Sequence, residues 1–283
     1  MPIKRKPGGG RKPKVKLLPA QVLPIGQLLT DLTKRGWSLG AKVGMGGCGE
    51  IFLAAPSGKP ITPDQASHVI KIEPHANGPL FSELAFYHRA AKAEMIKNWQ
   101  LRYKEATYVG VPAYIAEGWH ELNGDRWRFM VMERFGEDLE MIFTKHGRIF
   151  SLPTVCTVAI SLLNSLEYLH NNEYVHADIK GANLLVGRTK SKRHEVYLVD
   201  YGLAYRYLAD GKHREYQEDP RCAHDGTIEF TSRDAHKGVL RSPGIFHSQE
   251  ILPYCNYYQQ FHFTSTVPLY VRMYCKVLDA LIK

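Results

Sequence analysis

The stretch that most constrains this chain is Tyr174-Val175-His176-Ala177-Asp178-Ile179-Lys180-Gly181-Ala182-Asn183, followed by Asp200-Tyr201-Gly202. It sets Asp178, Lys180 and Asn183 on one short loop, and Asp200 returns at the end of the next apolar run, Val196–Leu198. Phosphoryl transfer calls for such a set: a carboxylate to orient a hydroxyl, a cation on the moving phosphate and oxygen ligands for Mg²⁺. Read alone, the stretch could also be a polar loop with solvated charges. Elements upstream decide between the two.

Val43-Gly44-Met45-Gly46-Gly47-Cys48-Gly49-Glu50-Ile51 sits between Trp37–Lys42 and the alternating run Ile51–Ala55. Two strands about a glycine turn give a hairpin whose backbone can close over phosphates without Cβ obstruction. A dinucleotide-binding reading would need a helix after the glycines, and Ile51-Phe52-Leu53 with Pro56 soon after reads as a strand. His68–Ile72 is a β-type run that carries Lys71 between Ile70 and Ile72. Over Pro79–Ala91, Leu80, Leu84, Tyr87 and Ala91 recur at helical spacing, which puts Glu83 on the inward face. An inward carboxylate is costly unless paired, and Lys71 is the partner the spacing offers. Tyr114–His120 and Arg126–Glu133 read as strands joined at Asn123-Gly124, a strong hairpin turn. The second strand ends at Met132-Glu133-Arg134-Phe135-Gly136, the expected link between two lobes. Leu152–Asn171 is expected as a long amphipathic helix that leads into the polar loop.

The chain of 283 residues, 44% hydrophobic, can bury one two-lobed core or two small domains. It contains no run of eighteen apolar residues and no apolar stretch after its basic start, so neither a membrane span nor a secretory signal is expected. The five cysteines are scattered and fit reduced thiols in the cytosol or nucleus. Cys222 with His224 is the nearest approach to a metal pair, and two ligands alone read as ordinary loop residues. The net charge of +9 is concentrated in Lys4, Arg5, Lys6, Arg11, Lys12, Lys14 and Lys16. With its prolines and glycines, that segment is expected to be a disordered leader over 1–27. It suits nuclear import, with weak nucleic-acid contact or plain solubility as alternatives.

The residues resemble the vaccinia-related kinases, within the casein-kinase-I group of serine/threonine protein kinases. Beyond the loop, the likeness rests on Asn77-Gly78-Pro79-Leu80-Phe81-Ser82-Glu83-Leu84, Leu198–Tyr207, His224–Ser232 and Asp234–Val239. It implies an α+β, two-lobed kinase fold over 28–239, with a β-rich N-lobe (28–132), a hinge (133–136) and a helical C-lobe from 137. It also implies ATP with Mg²⁺ or Mn²⁺, and protein substrates among nuclear and chromatin proteins, in the nucleus or the cytoplasm. Carried onto this sequence, Asp178 orients the attacking hydroxyl, Lys180 meets the γ-phosphoryl charge and Thr227 steadies Asp178. Asn183 and Asp200 hold metal. Val43, Gly44, Met45, Gly46, Gly47, Cys48, Gly49, Glu50 and Ile51 cover the phosphates, with Lys71 held by Glu83. Met132 narrows the back of the pocket, and the backbones of Glu133 and Phe135 meet adenine. Ala177 stands where many kinases have an arginine, so no activation-loop phosphorylation is expected to be needed. After Val239 the resemblance ends, and 44 residues remain (283 − 239). The expectation is a truncated C-lobe with a divergent tail over 240–283, and hence two readings, an active kinase or a weakened nucleotide- or partner-binding form.

Overall fold

The computed structural model describes residues 23–46, 49–102, 108–209, 212–213, 227 and 230. The leader to residue 22, the loop-tip Gly47 and Cys48, Cys222 with His224, and the tail 240–283 lie outside the described residues. The upper lobe is a six-stranded antiparallel sheet of β1 (Leu28–Thr30), β2 (Gly36–Gly46), β3 (Gly49–Pro56), β4 (His68–Pro74), β5 (Ala116–Leu122) and β6 (Asp125–Glu133), in the order β1-β2-β3-β4-β6-β5. The sheet curls until its outer strands approach, with Leu32 N donating to Glu117 O at 2.9 Å. The turn between β5 and β6 is the expected one, with Asn123 and Gly124 at φ of 54° and 83°.

Strand alternation sorts the side chains. Phe52, Ile70 and Val131 stand opposite one another and bury into the upper core with Leu29, Trp37, Leu39 and Trp127. Ile51, Lys71 and Met130 form the next row, on the other face. Leu23 belongs to the upper core, Gly26 N donates to Leu39 O, and Leu39 N donates to Gln27 O. Among the described residues, packing therefore already includes Leu23, ahead of the boundary expected at Leu28, because an apolar side chain and backbone pairing fasten this segment to β2.

Two helices follow β4: α1 (Pro79–Ala90) and α2 (Ala93–Arg102). The inward face of α1 holds Leu80, Glu83, Leu84, Phe86, Tyr87 and Ala90, all buried. Helix α2 was not anticipated from the sequence. Its Ile96 and Trp99 pack on the lower core, and Trp99 meets Tyr168 edge-on at 5.3 Å.

The lower lobe is built on α3 (Leu139–Lys145) and α4 (Leu152–Asn171). Asp138 caps α3 by accepting from Met141 N, and Ser151 caps α4 ahead of Pro153. Helix α4 has the bounds expected from its periodicity. It supports β7 (Tyr174–Val175), and beyond it β8 (Leu184–Val186) pairs with β9 (Val196–Leu198). The loop 176–183 joins β7 to β8, while Asp200 lies just past β9. These short strands thus bring the two chemistry-bearing segments together. Among the described residues, no helix is long and apolar enough to cross a membrane.

Candidate active site

Lys71 is buried on β4, and its ammonium bridges two carboxylates, Glu83 Oε2 at 2.6 Å and Asp200 Oδ1 at 2.9 Å. Glu83 also accepts from Tyr201 N at 3.3 Å. Burial alone would strip the charge from Lys71, yet Glu83 and Asp200 outweigh it and hold the ammonium above its ordinary range. Burial likewise pushes the Asp200 carboxyl up, and Lys71 more than reverses that, leaving it lowered. For Glu83, burial prevails over Lys71 and raises the carboxyl. We take the cluster as ionised, since one cation faces two acidic partners and a backbone N–H supports Glu83.

Asp178 is held from all sides. Its Oδ1 accepts from Thr227 N (3.0 Å) and Thr227 Oγ1 (2.9 Å), and its Oδ2 accepts from Lys180 Nζ (2.8 Å) and Asn183 Nδ2 (3.1 Å). Lys180 also reaches Thr227 Oγ1 at 2.8 Å, and Asn183 Nδ2 reaches Asp178 O at 2.8 Å. The structure therefore brings Asp178, Lys180, Asn183 and Thr227 into one knot, with Lys71, Glu83 and Asp200 in a second.

The two knots share a floor. His176 Nδ1 accepts from Asp178 N at 3.2 Å, which leaves the proton on Nε2, and Nε2 donates to Val199 O at 3.0 Å. Tyr201 packs beside it, stacked on Phe86 with centroids 3.8 Å apart, and donates its hydroxyl to Leu198 O at 2.9 Å. That bond satisfies the hydroxyl of a fully buried tyrosine. Ala177 and Asp200 both have positive φ, 71° and 65°. Such strain in a non-glycine residue persists only where the surroundings over-determine it.

Burial lowers the His176 pKa from 6.5 to about 4. Its folded value is depressed, so the unfolded chain binds the extra proton between those limits, and stability present above pH 6.5 is lost as pH falls toward 4. The expected loss is about 3 kcal/mol across that window. Denaturant melts of the wild type and His176→Gln at pH 7.5 and 4.5 would read it as a difference in pH slope, and parallel slopes would exclude a buried neutral ring.

The glycine hairpin lies as expected, with Gly46 paired to Gly49. A Cβ on Gly49 would meet Ile72 O at 2.7 Å, so glycine is required there. Val43 and Met45 are exposed, Gly44 stands across from Ile51, and Ile51 shares the row of Lys71. The Glu50 side chain stands apart from the row of Lys71. It pairs with Ile72, on the sheet face opposite Lys71, and its carboxylate binds Lys42 at 2.5 Å. Strand alternation turns it away, leaving only its backbone beside the loop.

Met132 lies across from Val69, nearly buried on the cleft side. Arg134 N donates to Ser67 O at 3.1 Å, which makes Ser67–Arg134 a hydrogen-bonded pair. The next pair, His68–Glu133, is then a non-bonded one, so the main-chain groups of Glu133 point away from β4. Strand β5 begins only opposite Val131 and does not cover them. Phe135 stacks on Tyr197 at 4.3 Å, and Gly136 N donates to Val186 O, tying the link to the lower lobe.

A lysine paired to a helix glutamate beneath a glycine hairpin, facing a fixed aspartate loop, is the architecture of a protein kinase. The protein kinase domain family matches residues 37–232. The human serine/threonine-protein kinase VRK2 is 51% identical over 232 residues, covering 82% of this chain and 44% of the relative. Nucleosomal histone kinase 1 of Drosophila melanogaster is 42% identical over 214 residues, covering 76% of this chain and 34% of the relative. The solved structure of vaccinia related kinase 3 superposes with a TM-score of 0.71 at 31% identity, over 83% of this chain and 68% of that one. This chain belongs to the vaccinia-related kinase family. It spans less than half the length of the two curated relatives it matches here.

Proposed function

We propose that this chain is a serine/threonine protein kinase that transfers the γ-phosphoryl group of ATP to protein hydroxyls, with nuclear and chromatin-associated proteins as its substrates. The observation that carries the reading is Lys71 bridging Glu83 and Asp200 while Asp178 stays fixed by Lys180, Asn183 and Thr227. Phosphoryl transfer depends on positioning and electrostatics, and the two knots hold together the charged and polar groups that it uses.

In this reading Lys71 holds the α- and β-phosphates, and the glycine hairpin with Ile51 covers them. Met132 and the backbones of Glu133 and Phe135 form the adenine end. Asp178 orients the substrate hydroxyl and accepts its proton late. Its two oxygens already carry four donors, so an incoming hydroxyl takes the place of one. Lys180 is the one that can leave, since its flexible ammonium turns to the γ-phosphoryl group.

Mg²⁺ or Mn²⁺ would be held by Asn183 and Asp200, and would neutralise phosphate charge when bound. The donor set fits. Asn183 spends its amide nitrogen on Asp178, which leaves its amide oxygen as an acceptor, and Asp200 commits Oδ1 to Lys71. Both supply the hard oxygens these cations prefer. The nuclear substrate class is supported by the basic run Lys4–Lys16 and by a relative named a nucleosomal histone kinase.

The test is incubation of the 283-residue chain with Mg·ATP and histones or an acidic protein control. Phosphoserine and phosphothreonine should form on the histones and disappear with a chelator. Nucleotide-dependent thermal stabilisation without transfer would assign the chain to a nucleotide-binding regulatory role instead.

A further inference from the structure

Glu73 lies two residues beyond Lys71 on β4, on the same face, and is fully buried. Its Oε1 accepts from Leu80 N at 3.0 Å, in the first turn of α1. That turn begins at Gly78, which has no side chain to cap it, and Pro79 follows. A helix start leaves N–H groups without intrahelical partners. Here the missing cap arrives from the neighbouring strand. Arg128, directly opposite on β6, completes the arrangement by donating to Glu73 Oε1 (3.3 Å) and to Asn77 O (3.4 Å).

We propose that Glu73 is a positioning residue for Lys71: it fastens the first turn of α1 to the strand that carries the lysine, and so sets the Lys71–Glu83 contact. The two tethers are parallel. Lys71 and Glu73 stand one strand repeat apart, and Leu80 and Glu83 stand about one helical turn apart. With both closed, α1 can neither slide along β4 nor swing away from it. With Glu73 removed, the Lys71–Glu83 pair alone holds the N-terminal end of the helix to the strand among these contacts.

A second observation separates this from ordinary packing. Among the described residues, Glu73 Oε2 is buried without a hydrogen-bond partner, and burial raises the carboxyl despite Leu80 N and Arg128. A buried, half-satisfied carboxylate is a cost that an apolar side chain of the same size would avoid. The geometry it imposes on α1 is the compensating gain.

The inference rests on Lys71 holding nucleotide phosphates, so its test reads nucleotide affinity and leaves phosphoryl transfer to the assay above. Mg·ATP titrations would be run on the full chain and on Glu73→Met, Glu73→Gln, Glu83→Gln and the double variant Glu73→Met/Glu83→Gln, each with a thermal melt. Glu73→Met should weaken Mg·ATP about tenfold or more, because a hydrogen bond to a charged group is lost. Glu73→Gln, which keeps an oxygen for Leu80 N, should stay within about threefold of wild type. In the Glu83→Gln background, Glu73→Met should add less than about threefold, since both act through one contact. Additive losses, or equal weakening by Gln and Met, would overturn the proposal and leave Glu73 as a packing residue. A folded wild type that binds Mg·ATP but transfers nothing would count against the kinase reading while leaving this comparison intact.

Discussion

Lys71→Met is expected to lower phosphoryl transfer by about a hundredfold or more while leaving the chain able to fold. Methionine matches the length of the lysine stem and fills the same space beside Ile51 and Met130. What disappears is the one ammonium between Glu83 and Asp200. Glu83 then faces the interior with Tyr201 N as its remaining donor among these contacts. Breaking a buried pair on one side typically costs about 3–5 kcal/mol. Burial already raises the Glu83 carboxyl, so proton uptake would relieve part of that cost. Replacing Glu83 by Met as well should recover most of the melting temperature and none of the transfer. That pair of variants separates the structural share of the ion pair from its chemical share. Retention of more than a tenth of wild-type transfer by Lys71→Met would remove this lysine from the phosphate-holding role.

The elements around this lysine were legible because local patterns produce them. The glycine hairpin, the Asn123-Gly124 turn and helix α4 follow from alternation, turn chemistry and 3.6-residue periodicity within single segments. Glu83 was also readable, since helical spacing alone turned it inward. The direction of the Glu50 side chain was not legible, for the complementary reason. Its face depends on which residue of β4 stands opposite, and that register is a long-range property. Glu73 escaped notice because its partners, Leu80 N and Arg128, come from two other elements and no motif joins them.

The remaining omissions have similar causes. Helix α2 is largely exposed and meets the core through Ile96 and Trp99, a weak signal in one short segment. Tyr201 stood in the Asp200-Tyr201-Gly202 string without a role of its own. Its hydroxyl bond to Leu198 O needed the fold to be seen. His176 stood in the loop string without a role, and its two ring nitrogens acquire one only when β9 brings Val199 beside them. Ala177 carries a left-handed backbone with no glycine to announce it. In each case the sequence supplied the residue and a distant contact supplied its meaning.

The same distinction sets the expectation for Asp178→Asn. The change is nearly isosteric, yet the site cannot accept it neutrally. Oδ1 receives two donors from Thr227 and Oδ2 receives Lys180 and Asn183, so an amide nitrogen in either position faces donors. Whichever way the amide turns, two of these contacts lose their acceptor, and the group that would take the hydroxyl proton is gone. Transfer should fall by about a thousandfold, within the range for loss of a positioned general base. Mg·ATP binding should stay close to wild type, because Lys71, Glu83 and Asp200 form a separate knot whose hydrogen bonds do not include Asp178. Thr227→Ala should cost less, since Lys180 and Asn183 would still hold Oδ2. Single-turnover transfer beside a nucleotide titration would resolve the two effects. If Asp178→Asn kept its turnover within tenfold of wild type, the proton acceptor would have to be sought outside this loop. If it lost nucleotide affinity as severely as Lys71→Met, the two knots would have to act as one, with His176, bonded to Asp178 N and Val199 O, as the link between them.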